Sequence, residues 1–427
     1  MPPRVYVGGS GGERSWCPPR RERGAVSPTI GVMEPRTDAD VVIVGGSLAG
    51  CAAARRLALA GARVVVIEQR PGRAAYKRLC GHYIQAGATP EIERLGLVAP
   101  LDAAGAVRNA VDVCTPAGWI RRPALPHGYS IRREVLDPLV RRLATETPGV
   151  TYRGGLAVRD LVREGGRVIG VVATDRDRRP AAFRARLVVA ADGRRSTVAR
   201  LAGVPVASAP NHRCCFFAYW RGLDEPGRVW RLGRDVVLAV PNDDGLTILA
   251  LFAHRDRLPE LTRDLEGGLR AAVRALPEAP AVDRARRVSK ILGYKEHVNL
   301  WRPAAPGAAL ALVGDAAMSL DPVPAIGCGW ALESAGWLAD AVGPALRGED
   351  DLDAALERYG REHERRLGGH RALIAEAALA EPPSPPQARL ARAAVHDADA
   401  ARVFFRLATR MAPVEEILTP AALARFA

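Results

Sequence analysis

Residues 40–68 read DVVIVGGSLAGCAAARRLALAGARVVVIE. Val41, Val42, Ile43 and Val44 form a short apolar run, rich in β-branched side chains, that predicts a buried strand. A glycine-rich turn follows at Gly45, Gly46, Ser47, Leu48, Ala49 and Gly50. It opens a helical stretch, and a second apolar strand then stops on Glu68. Strand, glycine turn, helix and strand in this order make the first βαβ unit of a dinucleotide-binding fold. Gly45 permits the tight turn, and Gly46 and Ser47 let backbone N–H groups approach a pyrophosphate. Gly50 lets helix and strand pack closely. The helix starts with its positive dipole end towards the phosphates. Glu68, followed by Gln69 and Arg70, is expected to accept both ribose hydroxyls of an adenosine. Its charge would repel a 2′-phosphate, so FAD or NAD is expected rather than NADP.

Composition narrows the class. With 427 residues and 48% hydrophobic content, the chain can bury a large core and carry more than one domain. The formal net charge of +14 raises the question of nucleic acid. The only lysines are Lys77, Lys290 and Lys295, and the arginines are scattered, with no basic stripe interleaved with aromatics. No nucleic-acid partner is therefore expected. No apolar run is long enough for a membrane span. The seven cysteines, at 17, 51, 80, 114, 214, 215 and 328, form no CxxC pair. With no secretory signal in the sequence, they suggest a reduced, cytoplasmic protein. The histidines show no metal-ligand spacing, so no metal is expected.

Along the chain, residues 1–37 are rich in Gly, Pro and Arg and read as a disordered N-terminal extension, with Met33 as an alternative start. Residues 90–97 read as a helix and 111–120 as strand. Residues 129–143 read as a strand entering an amphipathic helix. Residues 156–172 read as a hairpin about Glu164-Gly165-Gly166. Residues 187–192 form another buried strand. Several strands follow over 214–252, broken at 224–227 and 242–245, and 308–315 resume the nucleotide-binding pattern. From Gly329 onward the chain is helical, apart from a Pro-rich break at 381–387.

Two further motifs place an acid at the carboxyl end of a strand, where open α/β sheets bind ligands. One is Asp192-Gly193 in LVVAADGRRSTVARLA, the other Gly314-Asp315 in ALALVGDAAMSLDPVPAIGCG. Asp315 can accept hydrogen bonds from a ribityl chain. Gly327-Cys328-Gly329 starts a helix whose first amides can stabilise negative charge on a flavin ring.

This ordered set resembles the FAD-dependent monooxygenase superfamily, the para-hydroxybenzoate hydroxylase fold, over residues 38–346. The resemblance implies an α/β protein: a Rossmann-like FAD-binding domain, an inserted and mostly antiparallel β-sheet domain, and a C-terminal helical region. The expected boundaries are 38–110, 129–203 and 288–346 for FAD binding, 111–128 and 204–287 for substrate, and 347–427 for the helices. By the same resemblance Arg133 lies near the flavin, Asp192 supports the FAD domain and Asp315 binds the ribityl-pyrophosphate region. Pro322 and Gly327–Gly329 flank the ring. The long spacing from Pro322 to Gly327, with Asp321 before it, looks more like flavin-dependent halogenases and geranylgeranyl reductases, and Cys80-Gly81 resembles the reductase branch. The halogenase Trp-x-Trp-x-Ile-Pro motif is absent.

Phe217, Tyr219 and Trp220 are expected to line a substrate pocket with Met318 and Pro324, or simply to pack the core. His82 is the candidate acid or base; the plainer reading is a turn histidine without a role. Three activities remain open. The first is a monooxygenase of a small aromatic or polyketide-like metabolite, in which flavin reduced by NAD(P)H, or by a separate flavin reductase, passes one oxygen atom of O2 to the substrate. The second is a reductase of the geranylgeranyl-reductase type. The third is a non-redox FAD-containing cyclase or binding scaffold.

Overall fold

In the computed structural model the apolar run at residues 41–44 lies in the parallel part of a mixed sheet, paired on both sides. Residues 37–72, 74–80, 82–223, 226–419 and 421 are described. Residues 1–36 of the expected extension, Met33 included, lie outside them, as do Gly81 and Asp224 and Glu225 of the expected turn.

In chain order the elements used below are β1 (Thr37–Val44), α1 (Leu48–Leu59), β2 (Val64–Glu68), β3 (Val111–Thr115), β4 (Gly118–Ile120), α2 (Arg133–Thr145), β5 (Val150–Gly154), β6 (Ala157–Glu164), β7 (Arg167–Thr174) and β8 (Pro180–Ala190). They continue with β9 (Arg213–Arg221), β10 (Gly227–Leu232), β11 (Asp235–Asn242), β12 (Leu246–His254), α3 (Leu265–Arg274), β13 (Leu292–Tyr294), β14 (Leu310–Leu312), α4 (Gly327–Leu346), α5 (Leu352–Ala377), α6 (Pro385–His396) and α7 (Ala398–Ala408).

The first sheet has the order β5-β2-β1-β8-β7-β6. Val42 of β1 stands opposite Val65 of β2 on one side and Val188 of β8 on the other, both parallel. Strands paired on both edges and covered on both faces read as continuous apolar runs, which is why VVIV and VVVI carry no alternation. β8 changes partner along its length. Phe183 pairs antiparallel with Val171 of β7, and Val189 pairs parallel with Ala311 of β14. Leu57 of α1 and Leu332, Leu338 and Val342 of α4 have no exposed surface and share this core.

The second sheet runs β9-β12-β11-β10-β3-β4, with β13 on the outer side of β9. Its pairs are antiparallel except β10 with β3. β13 lies beyond residue 287, so this sheet extends further along the chain than the sequence suggested. Leu292, Gly293 and Tyr294 find their ladder partners in Phe217, Phe216 and Cys215, not in the nucleotide-binding sheet.

Strand periodicity separates the two faces. Cys214, Phe216, Ala218 and Trp220 pack with Leu269 and Val273 of α3. Cys215, Phe217 and Tyr219 face the other way, with Val236, Val240 and Phe252, and meet Val323 of the Pro-rich loop. The C-terminal helices cap the far edge: Leu390 and Ala394 of α6 and Ala400 and Phe405 of α7 close over Val113 and Ile120. Each large apolar side chain buried this way contributes about 1.5–3 kcal/mol. No helix among the described residues is long and apolar enough to cross a membrane.

Candidate functional site

A cavity of about 1660 Å³ runs from the glycine turn, past the start of α4, to the face of the second sheet that carries Phe217. Each part of its wall traces to a local feature of the sequence.

At the nucleotide end, Gly45 has φ +109° and a Cβ there would stand 2.3 Å from the Ala191 carbonyl oxygen. A Cβ on Gly46 would meet Tyr152 Oη at 2.6 Å, and one on Gly50 the Gly45 oxygen at 1.8 Å. The turn therefore tolerates no side chain at these glycines, and of the three only Gly45 lines the cavity. Ser47, Leu48, Ala49, Gln69 and Arg70 line the cavity. Glu68 lines it too, and its carboxylate accepts from Gly46 N at 2.7 Å and Arg70 N at 2.9 Å. Asp192 caps a short helix, accepting from Thr197 N at 2.7 Å and Val198 N at 3.1 Å, while its buried Oδ1 has no partner. Burial pushes this carboxyl above the usual range. Gly193 follows it at the cavity wall.

The middle of the cavity is built from four segments. Lys77 Nζ bonds Asp315 Oδ2 at 2.6 Å. Burial works against the Asp315 charge, but Lys77, together with Arg133 and His297, holds the carboxyl below its ordinary value. Gly314, just before, packs so closely on α1 that a Cβ would lie 2.8 Å from Ala49 Cβ. Arg133, buried at the start of α2, is held by Asp137 Oδ1 at 2.6 Å and donates to Ser47 Oγ at 3.1 Å. Its Nη1 also approaches two thiols, Cys80 at 3.6 Å and Cys328 at 3.7 Å, which are themselves 3.5 Å apart. His82 has φ +56°, stacks on Tyr219 at 5.3 Å between ring centroids, and leaves both ring nitrogens without a protein partner. Burial pushes its pKa down to about 4, so the imidazole is neutral at physiological pH.

At the far end the wall is apolar: Phe217, Val236, Leu238 and Phe252 from the sheet, and Met318, Pro322, Pro324, Gly327 and Cys328 from the chain leading into α4. A buried ion pair, Arg213 to Asp321 at 2.8 Å, ties that chain to the sheet, and Asp321 Oδ1 accepts from Val323 N at 3.1 Å. Tyr294 lines this region, and its buried Oη has no hydrogen-bond partner in the protein.

The structure brings most of the expected residues to one cavity, but Gly46, Gly50, Gly314, Trp220, Tyr219 and Gly329 do not line it. Trp220 is fully buried on the opposite face of the sheet, against α3, and lines no part of the cavity. Its position, an odd number of residues from Phe217, turns it away. Tyr219 stands behind His82 rather than on the wall, and Gly329 packs against Ala88 in the first turn of α4. Asp137, Arg141 and Gln85 were not singled out from sequence. Arg141 donates to Gly46 O at 3.1 Å, and Gln85 to Pro324 O at 2.7 Å. Arg133, Asp137 and Arg141 repeat every four residues, which on a helix marks one face, and that spacing was the available signal.

An elongated dinucleotide carrying a planar ring fits this set: a glycine cradle closed to side chains, a buried carboxylate oxygen awaiting a donor, and an acid at the end of β2. Among the described residues no group of three or more His, Cys, Asp or Glu is placed to hold a metal ion.

Comparison with known proteins agrees. A family model described as FAD binding domain matches residues 38–214. The chain is 30% identical over 353 residues to kynurenine 3-monooxygenase of Salinispora arenicola, covering 75% of each. It is 28% identical over 352 residues to 6-methylpretetramide 4-monooxygenase of Streptomyces rimosus, covering 76% of this chain and 81% of that one. Two probable electron transfer flavoprotein-quinone oxidoreductases of Escherichia coli match at 32% and 34% identity, but the match spans only about two fifths of their length, 41% and 38%. Among solved structures, the flavin-dependent brominase Bmp2 superposes with a TM-score of 0.77 at 19% identity, over 91% of this chain and 97% of that one. The p-nitrophenol 4-monooxygenase PnpA from Pseudomonas putida gives 0.71 at 20% identity, over 88% and 99%. At these identities the two structures speak for the fold.

Proposed function

Because this chain belongs to the FAD-dependent monooxygenase superfamily, we propose that it hydroxylates or epoxidises a small aromatic or polyketide-like metabolite, using NAD(P)H and O2. The observation that carries the reading is the meeting, across one cavity, of the Pro322–Cys328 segment with the apolar sheet face of Phe217, Val236, Leu238 and Phe252.

In this reading the turn Gly45–Gly50 and Glu68, Gln69 and Arg70 hold the adenosine diphosphate half. Asp192 and Asp315 hold the ribityl and pyrophosphate region, and Gly327 and Cys328 flank the ring. When bound, the flavin supplies two-electron chemistry and O2 activation. The chain's own residues do the rest. The apolar wall excludes water, so a reactive oxygen species is not lost to hydrolysis. Tyr294 Oη and the two free His82 nitrogens offer hydrogen bonds to a substrate hydroxyl or carbonyl. A neutral imidazole has one donor and one acceptor nitrogen, so His82 can hydrogen-bond and orient a phenol, while burial makes it a weak proton acceptor.

Electrons come from NAD(P)H bound transiently or from a separate flavin reductase. Anaerobic titration of the purified flavoprotein with NADPH and NADH, with and without aromatic ligands, separates these routes. Bleaching of the flavin absorbance followed by reoxidation with O2 and oxygen transfer is expected. A reduced flavin that passes hydride to an alkene without consuming O2 would overturn the monooxygenase reading.

A further inference from the structure

Among the described residues, the thiol pair in the cavity wall is a nucleophilic cluster that the proposed reaction leaves unused. Cys80 comes from the loop after β2 and Cys328 from the first turn of α4, 248 residues apart, yet their sulfurs are 3.5 Å from each other. Both line the cavity, and both are free thiols. Arg133 Nη1 reaches both sulfurs, so a positive charge is fixed where a thiolate would form.

We propose that Cys80 and Cys328 form a redox-active dithiol that closes to a disulfide within the cavity, with hydrogen peroxide as the oxidant. Peroxide is the product expected whenever a reduced flavin meets O2 without transferring oxygen to substrate. The Cys80 thiolate attacks one peroxide oxygen, the O–O bond breaks, and with one proton taken up water leaves a sulfenic acid on Cys80. The Cys328 sulfur then attacks the Cys80 sulfur, the S–O bond breaks, and the departing hydroxide takes the Cys328 proton as a second water. Two thiols and one peroxide give one disulfide and two waters.

The environment sets the order of attack. The hydrogen bond from Cys328, with the Arg133 charge, holds the Cys80 thiol well below its usual range against burial, and the same contact raises Cys328. Elsewhere burial works the other way: Cys51 is pushed up to about 12, and Cys114, Cys214 and Cys215 are raised. Closing the bond shortens the sulfur separation from 3.5 Å to about 2.05 Å. It would pin the segment carrying Lys77 and His82 to the start of α4.

The test uses the full chain as purified and added peroxide, so it stands apart from the monooxygenase reading. After treatment with one molar equivalent of hydrogen peroxide, free thiols are alkylated in denaturant and the protein is mapped by mass spectrometry. A peptide pair joining Cys80 to Cys328, lighter by two hydrogens and separated by dithiothreitol, is the expected result. Alkylation of both as free thiols, or Cys80 carried to the sulfinic acid with no link, would overturn the proposal. In Cys328→Ser the reaction is expected to stop at a sulfenic acid on Cys80, trapped by dimedone. Wild-type mapping decides the matter if that variant fails to fold.

Discussion

Lys77 Nζ stands 2.6 Å from Asp315 Oδ2 and joins two segments 238 residues apart, the loop after β2 and the turn after β14. The contact closes the middle of the cavity, and Asp137 Oδ2 accepts from the Lys77 backbone N at 2.9 Å beside it. Asp315→Asn removes the charge that orients Lys77 and weakens the acceptor offered to a ribityl chain. We expect FAD to bind about tenfold more weakly, ~1.4 kcal/mol, in a fluorescence titration of the apoprotein. Lys77→Met should lose less, because its backbone anchor to Asp137 remains. Unchanged FAD affinity in Asp315→Asn would refute the assignment.

His82 is neutral down to about pH 4. No limb of the activity profile between pH 6 and 8 should therefore belong to it. His82→Phe keeps the ring stack on Tyr219 and removes both nitrogens. Turnover is expected to fall on the order of 10²-fold with flavin content unaltered. Equal loss of flavin and turnover would make His82 a support for the loop only.

Phe217 and Trp220 lie on opposite faces of β9. Phe217→Ala should raise KM while folding is largely kept. Trp220→Ala opens a cavity against α3 and should cost about 3–5 kcal/mol of stability, with KM close to wild type in whatever protein folds. Thermal melts and steady-state kinetics on both variants check the pairing, and a KM shift in Trp220→Ala alone would reverse the assignment of faces.

Glu333, in α4, is pushed up to about 7 by burial, with Arg410 pulling the other way. The folded chain then keeps a proton that the unfolded chain gives up above about pH 4.5. The cost of burying Glu333 is thus absent below about pH 4.5, accumulates as pH rises from there to about 7, and is constant above that. Glu333→Gln is neutral throughout. Its stability relative to wild type should improve by on the order of 2–3 kcal/mol between pH 4.5 and pH 8, read as a widening Tm difference. A difference independent of pH would show that Glu333 titrates normally.

The nucleotide-binding half was legible because its signals are local. Strand, turn, helix and acid all fall within residues 40–68, and each has a stereochemical reason to be there. The pocket was less legible. Grouping Phe217, Tyr219 and Trp220 mixed two strand parities, and period two says which residues share a face but not which face meets a cavity. The spacing of Arg133, Asp137 and Arg141 was visible, yet its purpose is to hold Ser47 and the Gly46 carbonyl, which only the fold brings near. The contact of Cys80 with Cys328 has no trace in spacing, since nothing within either segment names the other. Nor could composition say that α6 and α7 would roof β3 and β4; their apolar faces announce burial without naming a partner.

The long middle strand β8 has a consequence for how this protein is made. Its last residues, Val188 to Ala190, wait for Leu310 to Leu312 to complete the sheet. Between these two strands the chain must first lay down β9 to β13, most of the inserted sheet. On a ribosome adding about 5–20 residues per second, the closing strand therefore emerges several seconds after the strand it covers. Until then one flank of the nucleotide-binding sheet is a bare apolar edge. The cofactor cleft is completed late in synthesis, and growth temperature and translation speed should govern the yield of folded protein more than the stability of its finished core.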